Sequence, residues 1–219
     1  LIEHRSQMRW VSRLTQALDE GRFRLYYQPI LPLSGGQRER PHYEVLLRLL
    51  DEDGRLVEPM AFVPAAERYN LMPTIDRWVL RTVIAGSAAA HCAAPAVERP
   101  IFAVNLSGRS LGDERLPDYV REQLTHHHVP GDMLCLEITE TAAITNLNQA
   151  SRQITELKRL GCLVALDDFG SGMSSFSYLK TLPVDFLKID GGFIRTLADD
   201  QVNRAMTEAI NRVAHVMTI

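Results

Sequence analysis

The chain has 219 residues, 46% hydrophobic and 23% charged, a balance that fits a folded globular protein and excludes extended disorder. Its 24 Lys and Arg against 27 Asp and Glu leave a net charge of −3, so no basic field exists to hold DNA or an anionic membrane. No apolar run approaches the ~18 uninterrupted residues of a membrane span and no basic, cleavable leader is visible, so a soluble, cytoplasmic domain is expected, whether or not its parent is membrane-anchored.

Residues 3–20 carry Met8, Val11, Leu14 and Leu18 at helical spacing with Gly21 as a stop. They predict an amphipathic helix, either a linker or the first helix of the domain, and divide the chain into a lead helix at 1–22 and a domain at 23–219. Phe23 to Leu33 reads as a strand that pauses at Pro29 and Pro32, and Ser34 to Pro41 as a loop. In the strand His42 to Leu50 the two-residue period puts Glu44, Leu46 and Arg48 on one face, with Tyr43, Val45, Leu47 and Leu49 on the other. Segments 60–70 and 74–90 read as helices, the second marked by Ile75, Trp78, Val79, Thr82 and Val83. Ile101 to Ser107 is a strand that contains Asn105.

Asp113 is placed to cap a helix running to about Thr125, and Met133 to Thr139 is a strand with Cys135, Glu137 and Thr139 on one side. Leu147, Ala150, Ile154, Leu157 and Leu160 mark a helix closed by Gly161. Leu163 to Asp168 is the next strand, followed by a short helix near Ser174 to Leu179 and by the strand Val184 to Ile189, which bears Lys188. A last helix carries Val202, Met206, Ile210 and Val213, and His215 to Ile219 begins one more strand. Strands alternating with helices predict an α/β fold with a mostly parallel sheet, and closure into a barrel of roughly 250 residues fits the length better than an open sheet. Cys92, Cys135 and Cys162 are far apart, lack the CxxC spacing, and read as core thiols.

The chemistry concentrates in Leu163 to Gly172, where an apolar strand ends in the adjacent carboxylates Asp167 and Asp168 and a glycine turn. Asp commonly caps such turns, but two anions at a buried strand end repel unless cations neutralise them, and closely placed carboxylates suit Mg²⁺ or Mn²⁺. A parallel barrel gathers its strand ends on one rim. That would collect Glu44, Asn105, Glu137, Asp167, Asp168 and Lys188, a set suited to two divalent ions clamping a phosphoryl group about 3.5–4 Å apart. Arg48, on the face of Glu44, suits a substrate phosphate better than a salt bridge with Glu44 or a neighbour. Lys188 either neutralises the acidic cluster or holds the attacking water, and the two roles are compatible. Gly170 and Gly172 lack a phosphate-cradle pattern and read as a flexible loop, while His126, His127 and His128 read as a solvated helix end.

These motifs together resemble the EAL domain family, bacterial phosphodiesterases and receptors for cyclic di-GMP. The resemblance runs through YYQPI (Tyr26 to Ile30), EVLLR (Glu44 to Arg48), NLS (Asn105 to Ser107), EITE (Glu137 to Glu140), DDFGSG (Asp167 to Gly172) and LPVDFLKID (Leu182 to Asp190). It implies a modified TIM barrel whose first strand runs against the others, and metal-dependent hydrolysis of cyclic di-GMP to linear pGpG. By position, Glu44, Asn105, Glu137, Asp167 and Asp168 would be metal ligands, and Lys188 would contact the catalytic water. Gln28, Leu46 and Arg48 would contact the dinucleotide, and Glu140 would steady the loop after Asp168 that couples the site to a dimer interface. A homodimer and flanking sensory or cyclase domains are implied by the family alone.

Two departures stand out. The name-giving triplet reads Glu44-Val45-Leu46, with Val45 facing away from Glu44, so the change should be tolerated. The family's barrel also continues through an EGVE-like segment, with a further metal-site glutamate, and an eighth strand, and this chain ends at Ile219 before both. Part of a longer protein is therefore expected, with Leu1 in place of an initiator Met, and the piece alone is expected to be weakly active and unstable. The alternative to an enzyme is a catalytically silent cyclic di-GMP receptor, disfavoured because every visible ligand is intact.

Overall fold

The computed structural model describes residues 2–31, 40–170 and 176–219, with the side chains of its first helix from Trp10 onward. In chain order the elements begin with α1 (Ile2–Asp19), β1 (Phe23–Ile30), β2 (His42–Leu50), β3 (Leu56–Val57), α2 (Pro59–Arg68) and α3 (Met72–Thr82). A π-helical turn, Val83–Ala88, carries α3 into α4 (Ala89–His91), and β4 (Ile101–Leu106), α5 (Gly108–Leu111) and α6 (Leu116–His126) come next. Then follow β5 (Leu134–Thr139), α7 (Glu140–Thr145), α8 (Leu147–Arg159), β6 (Leu163–Phe169), a 3-10 turn (Phe176–Thr181), β7 (Phe186–Ile189), α9 (Gly191–Arg195) and α10 (Gln201–Met217).

The sheet runs β1-β2-β4-β5-β6-β7, with the two-residue β3 pairing back on β2. β1 is antiparallel to β2, whereas every later neighbour on that path is parallel, so the barrel order with a reversed first strand is present. Pro29 lies inside β1, whose one strand partner among the described residues is β2, so its missing N–H interrupts no second ladder there. Among the described residues neither β1 nor β7 pairs with a second strand of the path.

Strand alternation divides the side chains into two layers. Phe102, Val104, Leu106, Leu134, Leu136, Ile138, Val164 and Leu166 point outward and join the helices in the main core. Ile101, Ala103, Cys135 and Ala165 point inward and form a second, smaller cluster. Burial pushes the Cys162 thiol up to about 12 and raises Cys135 further, so both stay protonated as core groups. α1 contributes Leu14 and Ala17, fully buried in the main core beside Phe23.

The structure departs from the sequence reading at several places. Residues His215 to Met217 are helical, not the start of a strand, because Ile210 and Ala214 continue the buried face of α10 and the chain turns only at Thr218, φ 60°. Asp113 does not cap α6: its carboxylate accepts the Arg115 N–H at 3.1 Å in a turn, and the helix starts at Leu116, where Pro117 needs no N–H partner. The hairpin return at β3 was not foreseen, although Asp53-Gly54 marks its turn. The expectations for Pro32 to Glu39, for Ser171 and Gly172, and for Ser174 and Ser175 lie outside the described residues.

Candidate active site

The inner layer turns polar toward the strand C-termini. Register places Glu44 beside Ala103, Asn105 beside Glu137, and Glu137 beside Ala165, so the acids border the small apolar cluster directly. Lys188 enters from β7 and gathers three of these carboxylates. Its Nζ lies 2.8 Å from Glu137, 3.2 Å from Asp167 and 3.5 Å from Glu44. The Asn105 amide donates to Glu44 Oε1 at 3.4 Å, so residues from β2, β4, β5, β6 and β7 meet at one mouth.

Asp168 follows Asp167 directly, and on an ideal strand it would point to the helix side. Two features break that alternation: the β6–β7 register shifts between Leu166 and Phe169, and Asp168 takes a left-handed φ of 54°. Such a bulge re-aims a side chain. Burial, and after it the charges of Asp167, Asp190 and Glu44, raise the Asp168 carboxyl above the ordinary range.

Four carboxylates with one ammonium leave the mouth strongly negative. Burial pushes the Glu137 carboxyl upward, against the hydrogen bond and charge of Lys188. Burial would lower Lys188, but Glu137, Asp167 and Glu44 outweigh it, so the ammonium is raised and stays charged. Among the described residues no three His, Cys, Asp or Glu side chains already converge on a common ion position, and Lys188 stands among the acids. The donors are all oxygens on neighbouring strands with charge in excess, which by type fits a hard divalent cation.

β2 rises beyond the rim: its pairing with β4 ends at Val45–Val104, and Leu46 to Leu50 continue against β1 and β3. Gln28 faces Glu44 across the β1–β2 ladder and Tyr26 faces Leu46, so Gln28, Leu46 and Arg48 overhang the acids on one face. Arg48 is engaged at 3.4 Å by Glu58, the residue before α2, and lies over the Tyr26 ring at 5.8 Å. Sequence reading missed Glu58, because only the β3 return brings it back to β2.

Behind the mouth, buried Glu140 accepts the Gly170 N–H at 3.0 Å and the Tyr178 hydroxyl. Gly170 has φ +97°, and an added Cβ would sit 2.8 Å from the Phe193 ring, so a larger residue would have to move that ring and hold a strained backbone. Asp190 caps α9 by accepting the Gly192 N–H at 2.7 Å. Asp76 also escaped the sequence reading. It lies 3% exposed on α3 and bonds to Ser107 and Ser110, and its place on the buried stripe with Val79 and Leu80 is the signal that could have revealed it. No helix among the described residues is long and apolar enough to cross a membrane.

A family model described as EAL domain matches residues 11–219. The cyclic di-GMP phosphodiesterase PdeB of Shewanella oneidensis is 40% identical, covering 100% of this chain and 25% of its own length. The cyclic di-GMP phosphodiesterase PdeF of Escherichia coli is 35% identical, covering 98% of this chain and 28% of its own length. The chain thus spans about a quarter of these curated relatives. Among solved structures, the FimX EAL domain from Pseudomonas aeruginosa bound to c-di-GMP superposes with a TM-score of 0.86 at 33% identity, covering 95% of this chain and 82% of that one. The PaMucR phosphodiesterase in complex with c-di-GMP gives 0.86 at 33% identity, covering 96% and 84%.

Proposed function

This chain belongs to the EAL domain family, and on that premise we propose that it hydrolyses cyclic di-GMP to linear pGpG, using two Mg²⁺ or Mn²⁺ ions held by Glu44, Asn105, Glu137, Asp167 and Asp168. The observation that carries this reading is the convergence of three carboxylates from three strands on Lys188, beneath an overhang bearing Gln28, Leu46 and Arg48. Relatives named as cyclic di-GMP phosphodiesterases and neighbours solved with c-di-GMP support the choice of substrate. When bound, the ions supply Lewis-acid activation of water and neutralise charge at phosphorus.

The chain's own residues do the rest. Arg48 exchanges Glu58 for a phosphate oxygen, a swap made easy because Glu58 is largely exposed and the pair is weak. Gln28 and Leu46 orient the dinucleotide over the acids. Lys188, held cationic by its neighbours, is no base: it hydrogen-bonds the attacking water and opposes the charge that grows on the phosphoryl group. The water oxygen bonds to phosphorus as the bond to the 3′ oxygen breaks, and a proton from water ends on that oxygen. Homodimerisation, flanking sensory or cyclase domains and a cytoplasmic location belong to the same proposal.

The test is to incubate the full-length protein with cyclic di-GMP and Mn²⁺ and to follow pGpG. We expect turnover that EDTA abolishes, that Mn²⁺ restores and that Ca²⁺, with its looser coordination, does not support. Asp168→Asn should lower turnover by more than about 100-fold, since changing even outer partners of a metal costs about 10–100-fold. Binding of the dinucleotide without product would make the protein a receptor and end the enzyme reading.

A further inference from the structure

Asp76 does not face the acidic mouth, yet the bonds it receives bear on one of the residues there. Its carboxylate is buried on α3 among Ile75, Val79 and Leu80. A single oxygen, Oδ2, accepts both the Ser107 backbone N–H at 3.0 Å and the Ser110 hydroxyl at 2.6 Å. The serines also bond to each other: Ser107 Oγ donates to Ser110 Oγ at 3.2 Å and accepts the Ser110 N–H at 3.2 Å. This closed set occupies the corner where β4 ends at Leu106 and α5 begins at Gly108, two residues past Asn105.

A buried anion is costly, and Glu67, of the same sign, adds to the cost here. Capping α5 does not require it, because Ser107 already does that. What Ser107 cannot do is fix the corner relative to another element. Asp76 does so, joining the end of β4 to α3, and the end of β4 determines how far Asn105 reaches toward Glu44 and Glu137. We infer that Asp76 is a positioning residue, which through Ser107 and Ser110 fixes the β4–α5 corner and thereby holds the Asn105 amide in its place at the mouth. Its consequence for turnover rests on the proposed phosphodiesterase reading, whereas its consequence for the corner does not.

The test compares Asp76→Ala, Asp76→Asn, Asn105→Ala and the Asp76→Ala/Asn105→Ala double variant of the full-length protein. Asn retains an acceptor oxygen for both bonds and Ala retains none. Backbone hydrogen exchange over residues 105–111 reads the corner, and kcat for cyclic di-GMP at saturating Mn²⁺ reads the mouth. Asp76→Ala is expected to speed exchange across 105–111 by about tenfold or more while β5 and β6 keep their rates. It should lower kcat by about tenfold or more with little change in KM, as for loss of a supporting partner. Asp76→Asn should stay within about threefold of the parent on both, and in the Asn105→Ala background Asp76→Ala should cost less than about threefold further, because coupled residues are non-additive. Unchanged exchange in Asp76→Ala overturns the inference, as does a loss of kcat equally large with and without Asn105. If Asp76→Ala does not fold, Ser110→Ala removes one of the two bonds and must show the same pattern at smaller amplitude, or the inference falls. A parent protein without turnover would remove the proposed function and leave the exchange measurement to decide the positioning role.

Discussion

The residues at the mouth differ in how readily they announce themselves. Glu137, Asp167 and Lys188 are legible because alternation puts each on the inward face close to the C-terminal end of its strand, whereas Glu44 shares that face but sits early in β2, six residues before its end. Asp168 is legible as a motif, but its backbone sits at a bulge with a left-handed φ that no two-residue pattern contains. Asp76 stayed hidden because Asp on a helix is by default a surface residue. Its burial has a measurable signature. Because burial raises its carboxyl in the folded state, the unfolded chain releases this proton first as pH rises from ~4. The contribution of Asp76 to stability is therefore greatest at low pH, falls as pH climbs through the ordinary carboxylate range, and levels off above the raised folded value. Urea unfolding of the parent and Asp76→Asn across that range should show the Asn variant gaining relative stability with pH. A constant difference would count against a buried, titrating Asp76.

At the scale of elements, boundaries follow local chemistry closely enough to be tested one at a time. Asp200 opens α10 by accepting the N–H groups of Val202 at 2.8 Å and Asn203 at 3.2 Å, so Asp200→Ala should cost about 1 kcal/mol in chemical denaturation. Gly131, before β5, sits against the carbonyl of Leu160, where an added Cβ would lie at 2.1 Å. Gly131→Ala should therefore destabilise by about 1–3 kcal/mol, the usual range for overpacking, and a neutral result would mean that the two loops separate freely. Most strands and helices were readable because their apolar periods are long. The misreading of His215 to Ile219 shows the limit: Val216 and Ile219 look like a strand start until Ile210 and Ala214 below them are known to face the core. The displaced start of α6 has a similar origin, since Asp113 can serve a turn or a cap and only Pro117 separates the two.

At the scale of the whole molecule, the described residues form a mostly parallel sheet with a buried middle, and the path ends at β1 and β7 with one strand neighbour each. β5 is buried along nearly its whole length, whereas β1 presents Tyr26, Tyr27 and Ile30, and β7 presents Phe186, with substantial exposure. Hydrogen exchange on this chain should be slowest in β5 and its partners β4 and β6 and should rise toward β1 and β7. Uniform protection across the sheet would show that both borders are covered. The contacts of Lys188 give these borders a mechanical meaning. β7 has four residues, and one of them sends an ammonium inward to three like charges on β2, β5 and β6. That ammonium is an electrical strut across the open throat of the sheet: cut it, as in Lys188→Met, and the acids repel while the shortest strand of the path loses its anchor. A dead Lys188→Met protein would thus report splaying of β7 as well as lost chemistry, and only a variant that keeps the charge, Lys188→Arg, can tell the two apart.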